Sequence, residues 1–207
     1  MQLRSDSFEN DQSIPAEFAF GKKAEPFALS DNRSPHLAWS NAPSVTRSFA
    51  LTCIDNDVPS VGDDVNQPGR TVPADLPRVE FSHWLMANIP LECVELSAGA
   101  CSDEVTPRGK RDPFGPPGSV QGVNSFTGWF AGDKDMSGEY LGYDGPCPPW
   151  NDARMHHYHF KVYALDVESL PLVKGFSLAE LRAAMVGHVL AEAELVGRYS
   201  LNPVVKS

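Results

Sequence analysis

Residues 157–167 read His-Tyr-His-Phe-Lys-Val-Tyr-Ala-Leu-Asp-Val, and the fold class turns on them. Tyr158, Phe160, Val162 and Ala164 share one parity, while His157, His159 and Lys161 take the other. A period of two marks a β-strand with one face in a core, because successive side chains point to opposite faces of a sheet. Tyr163, Leu165 and Val167 then make the second face apolar too, so the strand becomes central toward its end.

The same reading extends outward. Ser48-Phe-Ala-Leu-Thr-Cys-Ile54 and Trp84-Leu-Met-Ala-Asn-Ile89 are apolar runs bounded by turn residues and too short for buried helices, so both read as buried strands. Ser177 and Glu180 have the spacing of a capping box, and Leu178, Leu181, Met185 and Val189 follow at helical intervals. Gly187 weakens that helix, which predicts a break or a close backbone approach there. Beyond Leu190, Glu192, Glu194 and Arg198 alternate with Ala193, Leu195 and Tyr199, the pattern of a last strand. The 18 prolines and 16 glycines are spread along the chain, as in an all-β domain with long connections. Two segments rich in breakers, Pro59 to Arg78 and Thr106 to Gln121, read as long irregular loops, of a length that is usually functional or disordered.

A chain of 207 residues, 42% hydrophobic and 21% charged, is expected to be a single globular domain spanning 1–207. Its formal charge of −10 and its short, acid-flanked basic groups argue against nucleic acid as a partner. No apolar run has signal-peptide or membrane-span length, so a cytoplasmic location and no membrane span are expected. Cys53, Cys93, Cys101 and Cys147 form no Cys-x-x-Cys pair and are expected to be reduced.

Three clusters carry candidate chemistry. Asp55-Asn-Asp-Val-Pro59 follows a strand; its carboxylates either shape a turn or point into a pocket. His83 opens an apolar run, as a hydrogen-bonded half-buried residue or as a ligand contact. Gly142-Tyr-Asp-Gly-Pro-Cys-Pro-Pro-Trp-Asn-Asp152 leads into His156-His-Tyr-His159, and prolines stiffen that loop while Gly142 and Gly145 allow close backbone approach. The alternatives are a proline-rich turn on a core strand, or one wall of a preformed pocket. Strand parity turns His156 and Tyr158 one way, and His157 and His159 the other. His157 and His159, with His83 and Asp55, could complete a metal site, although no spacing requires one. Cys147 as a nucleophile is disfavoured, because flanking prolines remove the N–H groups of an oxyanion hole.

Together these segments resemble the phosphatidylethanolamine-binding protein family, also called Raf-kinase-inhibitor-like, and its bacterial branch in particular. The resemblance rests on Ser34-Pro-His-Leu-Ala-Trp39, Ser48-Phe-Ala-Leu-Thr52, Asp55-Asn-Asp-Val-Pro59, His83-Trp-Leu-Met-Ala-Asn88, Gly145-Pro-Cys-Pro-Pro149 with His156-His-Tyr158, and the stretch Gly187 to Tyr199. It implies a mainly β fold, a β-sandwich of two antiparallel sheets with a few peripheral helices including one near the C-terminus. It also implies a non-enzymatic, cofactor-free anion site for phosphate-like groups or phospholipid head groups, with a regulatory, kinase-inhibitor-like role in some relatives.

By the same resemblance the site should involve Asp55, Asp57, Pro59, His83, Gly145, Pro146, His156 and Tyr158, with a cis Val58–Pro59 bond at its rim. Asn56 and His157 depart from the family's usual Pro and Arg. An anion beside Asp55 would be repelled, so His83 or His156 is expected to carry a proton, or Asp55 to share one with the ligand. A homodimer or another protein partner through the long loops fits this reading. The alternative is a metal-assisted or Asp–His hydrolase acting on a phosphoester or lipid.

Overall fold

The structure is a computed structural model, and it describes residues 1–206. The 157–167 alternation belongs to a strand, β10 (His156–Leu165), at the middle of a six-stranded sheet. The preceding strands are β1 (Gln2–Arg4), β2 (Gln12–Ser13), β3 (Gly21–Lys23), β4 (Phe27–Leu29), β5 (Leu37–Ser40), β6 (Ser48–Pro59), β7 (Arg78–Pro90), β8 (Glu95–Leu96) and β9 (Val120–Gln121). A short helix α1 (Phe126–Trp129) precedes β10, and α2 (Leu178–Met185) and β11 (Val189–Tyr199) follow it.

The large sheet runs β2-β11-β10-β6-β7-β9, antiparallel except for the β2–β11 pair. A three-stranded sheet, β1-β5-β8, and a β3–β4 hairpin complete the architecture. Period two divides the large sheet into two apolar faces. Phe49, Leu51, Cys53, Trp84, Met86 and Phe160 pack toward Leu37 and Trp39 of the small sheet, forming the main core. Their alternates Ala50, Ile54, Leu85 and Ala87 pack under Phe176, Leu181 and Met185, so α2 covers the other face. The mainly β sandwich with a helix near the C-terminus is therefore observed.

The capping box of α2 forms as expected: the Ser177 side chain accepts the Glu180 N–H while the Glu180 carboxylate takes the Ser177 N–H. Gly187 sits at φ +81° with open space around it, so it breaks the chain direction and is not a point of close approach. Val189 consequently opens β11 and is not part of the helix. β6 runs on past Ile54 to Pro59, where Val58 and Pro59 pair with Val79 and Arg78. The expected cis Val58–Pro59 bond is not there: the extended ladder takes a trans bond, and the cis X–Pro bond is Glu25–Pro26. Both ends of the expected 59–78 loop are strand residues, which leaves 60–77 irregular.

Candidate functional site

Two irregularities in the β6–β7 ladder build the site. Cys53 pairs with Trp84 but Ile54 pairs with Ser82, so His83 is an extra residue in β7. Such a bulge re-aims a side chain, and here His83 lies against Tyr158, ring centroids 5.1 Å apart. The second irregularity falls between Asp55 and Val58. There the Asp55 carboxylate accepts the Asp57 N–H at 2.7 Å, an Asx-type turn that swings Asp57 off Asp55's face. Across the other edge of β6, Tyr158 stands directly opposite Asp55 in the β10 register.

Asp55, His83 and Tyr158 thus meet at the floor of a cavity of about 360 Å³. Its walls are apolar. Phe20, Phe81 and Phe126 stand near His83, the Phe20 and Phe126 rings stacked at 4.7 Å; Trp129, Phe130 and Met136 continue that side. Val58, Pro59 and Val65 also line the cavity, with the polar Asn66 among them, and the lining residues Phe27 and Leu29 are half exposed. No Lys or Arg lines the cavity among the described residues.

The polar floor is held from behind. His83 Nδ1 lies 2.8 Å from the Asp144 carbonyl oxygen. That oxygen can only accept, so Nδ1 carries the hydrogen and the neutral ring leaves Nε2 as an acceptor. Burial depresses the His83 pKa despite the nearby Asp55, which favours this neutral form. Asp144 is itself fully buried and fixed by Asn32 at 2.8 Å, Asn124 at 2.8 Å and Lys110 at 2.7 Å.

His156 lies behind Asp55. Its Nδ1 is 2.7 Å from Asp55 Oδ2 and its Nε2 is 3.0 Å from Asp152 Oδ2. Burial alone would lower its pKa, but the two carboxylates outweigh burial and lift it to about 9, so the ring is an imidazolium at neutral pH. Asp55 stays ionised for the reciprocal reason: burial raises its pKa, yet the His156 imidazolium and the Asp57 N–H together hold it below the ordinary carboxylate value. The chain of charges continues through Asp152 to the buried Arg78 guanidinium, at 2.5 and 3.0 Å. Arg78 also donates to the carbonyls of Asp57 and Pro73, tying the 60–77 segment to the floor. Asp55 therefore reaches the cavity as a neutralised carboxylate.

The Tyr158 hydroxyl is buried and, among the described residues, makes no well-formed hydrogen bond; the Asp55 carboxylate is the acceptor beside it. Burial pushes its pKa well above the ordinary phenol value, so it remains an O–H donor. The Cys147 thiol, on the cavity wall, is pushed up to about 12 by burial.

Of the residues expected at the site, Asp55, Pro59, His83 and Tyr158 line the cavity. Asp57, Gly145, Pro146 and His156 do not, each for a local reason. Asp57 turns to Arg154, at 2.8 Å, and to the ring and N–H of His157. The close approach of Gly145 is to its own chain: a Cβ there would meet the Phe18 carbonyl oxygen at 2.2 Å, and its N–H goes to Asn32. The Pro146 carbonyl accepts from Phe20 and Gly21. His156 is fully enclosed by its carboxylates. His157 and His159 bind Asp57 and Glu194 on the other face and do not join Asp55 and His83.

The supporting Asn32, Arg78, Lys110, Asn124, Asp144 and Asp152 carry no motif of their own. Asp144 and Asp152 fall inside the Gly142–Asp152 stretch, and its density of buried-type and ionic residues is the only sequence signal for them.

A phosphatidylethanolamine-binding protein family model matches residues 4–200. Over 199 residues the chain is 33% identical to a UPF0098 protein of Methanothermobacter thermautotrophicus, covering 96% of this chain and 98% of that one. It is 32% identical over 171 residues to the UPF0098 protein YbcL of Escherichia coli, covering 82% of this chain and 73% of the other. The crystal structure of E. coli YbcL, titled a new member of the mammalian PEBP family, superposes with a TM-score of 0.70 at 29% identity, over 96% of this chain and 97% of that one. A putative PEBP homologue from Chlamydia trachomatis, CT736, gives 0.65 at 29% identity over 96% of each chain. Among the described residues no helix is long and apolar enough to cross a membrane. With the match spanning nearly its whole length, the chain belongs to the phosphatidylethanolamine-binding protein family.

Proposed function

We propose that this protein is a non-enzymatic binding module, acting in the cytoplasm, that seats a phosphate-like head group on Tyr158, His83 and Asp55. The observation that carries the reading is the buried Tyr158 hydroxyl, a donor with no well-formed hydrogen bond among the described residues, at the floor of a mainly apolar cavity. An unpaired buried polar group costs about 1–3 kcal/mol, which a ligand oxygen removes by accepting its hydrogen. The charge objection to an anion is met by His156: its imidazolium neutralises Asp55 from behind, so the head group approaches a dipolar floor and not a bare carboxylate. The aromatic walls accept the apolar remainder of the ligand. The assignment is to binding: burial keeps the Cys147 thiol protonated, and His83 is oriented by a carbonyl. A regulatory, kinase-inhibitor-like role would follow from an external surface responding to the filled cavity.

Titration calorimetry with O-phosphorylethanolamine at pH 6 tests the reading. Tyr158→Phe should weaken binding about two- to tenfold, the worth of one neutral hydrogen bond, with the circular dichroism unchanged. Equal affinity in the two proteins, or no binding to the parent chain, overturns it.

A further inference from the structure

The segment 60–77 has no strand or helix of its own, yet it supplies Gly62, Val65 and Asn66 to the cavity lining. The buried side chain of Asn151 holds it in place. Asn151 Nδ2 donates to the carbonyls of Asp64, Gln67 and Arg70, at 2.8, 3.3 and 3.1 Å, and its Oδ1 accepts the Asn66 N–H at 3.0 Å. One amide thus satisfies four backbone groups of an irregular turn. Further along, the Val72 N–H donates to the Asn151 carbonyl at 3.1 Å.

Asn66 is the polar side chain that this clamp presents to the cavity. Its backbone lies at φ +57°, in the left-handed region that asparagine and aspartate tolerate. Its Oδ1 accepts the Trp150 N–H at 3.0 Å. An N–H needs an oxygen opposite it, so this bond decides which end of the side-chain amide is which. Nδ2 is the end left over, and among the described residues it has no acceptor. A half-buried lining residue therefore holds two unspent N–H donors beside a mainly apolar space. No Lys or Arg lines that space among the described residues, so a charged acceptor there would find no counter-ion. A neutral oxygen fits, and a carbonyl carried on an apolar body brings one without a donor that the apolar lining would leave unpaired.

We propose that Asn66 is a specificity-determining residue of the cavity: its amide N–H takes the carbonyl oxygen of a ketone, ester or amide in the apolar part of the ligand, and Asn151 and Trp150 fix it for that contact. This goes beyond the head-group reading and does not depend on it.

The test compares the parent chain with Asn66→Asp at pH 7. The aspartate keeps one oxygen for the Trp150 N–H and its own N–H for Asn151, so the melting temperature should be unchanged. It replaces the donor with an acceptor. Tyr158 and Trp129, the other lining donors, are untouched. The probes are acetophenone and α-methylstyrene, in which a CH2 replaces the carbonyl oxygen. Titrations should show that the substitution weakens acetophenone at least about fivefold more than α-methylstyrene, the worth of one neutral hydrogen bond. Equal weakening of the two overturns the proposal. Should Asn66→Asp fail to fold, nitrogen-15 spectra of the parent chain decide: the Asn66 side-chain N–H signal should move further downfield with acetophenone than with α-methylstyrene, and equal movement overturns the proposal. Failure of both probes to bind the parent chain also overturns it, and leaves the head-group reading standing, since that reading is tested with an ionised ligand.

Discussion

The His156 imidazolium makes a stability signature that can be worked out from the structure. Its pKa is about 9 in the fold, against 6.5 for an ordinary histidine. At about 1.36 kcal/mol per pH unit the difference is worth about 3 kcal/mol of folding free energy. A group whose pKa rises on folding stabilises fully below its unfolded value, and the contribution is lost as pH climbs through the folded value. The window is therefore pH 6.5 to 9. His83, whose pKa is depressed, acts with the opposite sign below its ordinary 6.5 and stays out of the window. The depressed Asp55 and Asp152 act in the acid range. Buried thiols such as Cys53, whose pKa is raised above 9, act only beyond the upper end. For a domain of this size about 3 kcal/mol corresponds to a fall of about 6–12 °C in melting temperature between pH 6.5 and 9. Differential scanning calorimetry on the parent chain and on His156→Gln measures it. The variant should melt lower at pH 6.5, because Asp55 and Asp152 lose their shared cation, and its melting temperature should be nearly flat across the window. A parent chain without the fall, or a variant that keeps it, refutes the assignment of the charge to His156.

Asp152→Asn removes the carboxylate between His156 and the buried Arg78, and breaking a buried pair from one side should cost about 3–5 kcal/mol by urea denaturation. Gly145→Ala drives a methyl group into the Phe18 carbonyl, so soluble yield and melting temperature should fall sharply even though Gly145 lies outside the cavity. Ser177→Ala removes the α2 cap and should cost about 1 kcal/mol while leaving ligand affinity unchanged, because α2 lies on the far face of the large sheet.

The long strands and the late helix were legible because each has either a periodicity that one burial pattern satisfies or a short apolar run bounded by turn residues. Phe160 and Val162 can share a core only as strand neighbours, and Ser177 with Glu180 announces a helix start without tertiary help. The site was legible in residue type but not in placement. Reading a face from strand parity assumes an unbroken ladder, and here bulges turn Asp57 away from Asp55 and bring His83 in against Tyr158. Bulges leave little trace in sequence when no glycine marks them, and neither Asn56 nor His83 has a glycine beside it.

The electrostatics were hidden for a different reason. From sequence, Asp55 looked like an obstacle to an anion, and the remedies were a histidine, His83 or His156, that carries a proton and meets the ligand, or a proton shared between Asp55 and the ligand. The structure separates those two roles. His156, from the same strand as Tyr158, carries the proton but faces backward into Asp55 and Asp152, while His83 faces the cavity and stays neutral. Which of two imidazoles is charged depends on partners far away in the chain: Asp55 and Arg78 upstream, Asp144 and Asp152 in the intervening loop. No local pattern encodes such a choice. In the proposed reading a carboxylate at the floor of a phosphate-head site is no obstacle, because His156 cancels its charge on the side away from the cavity.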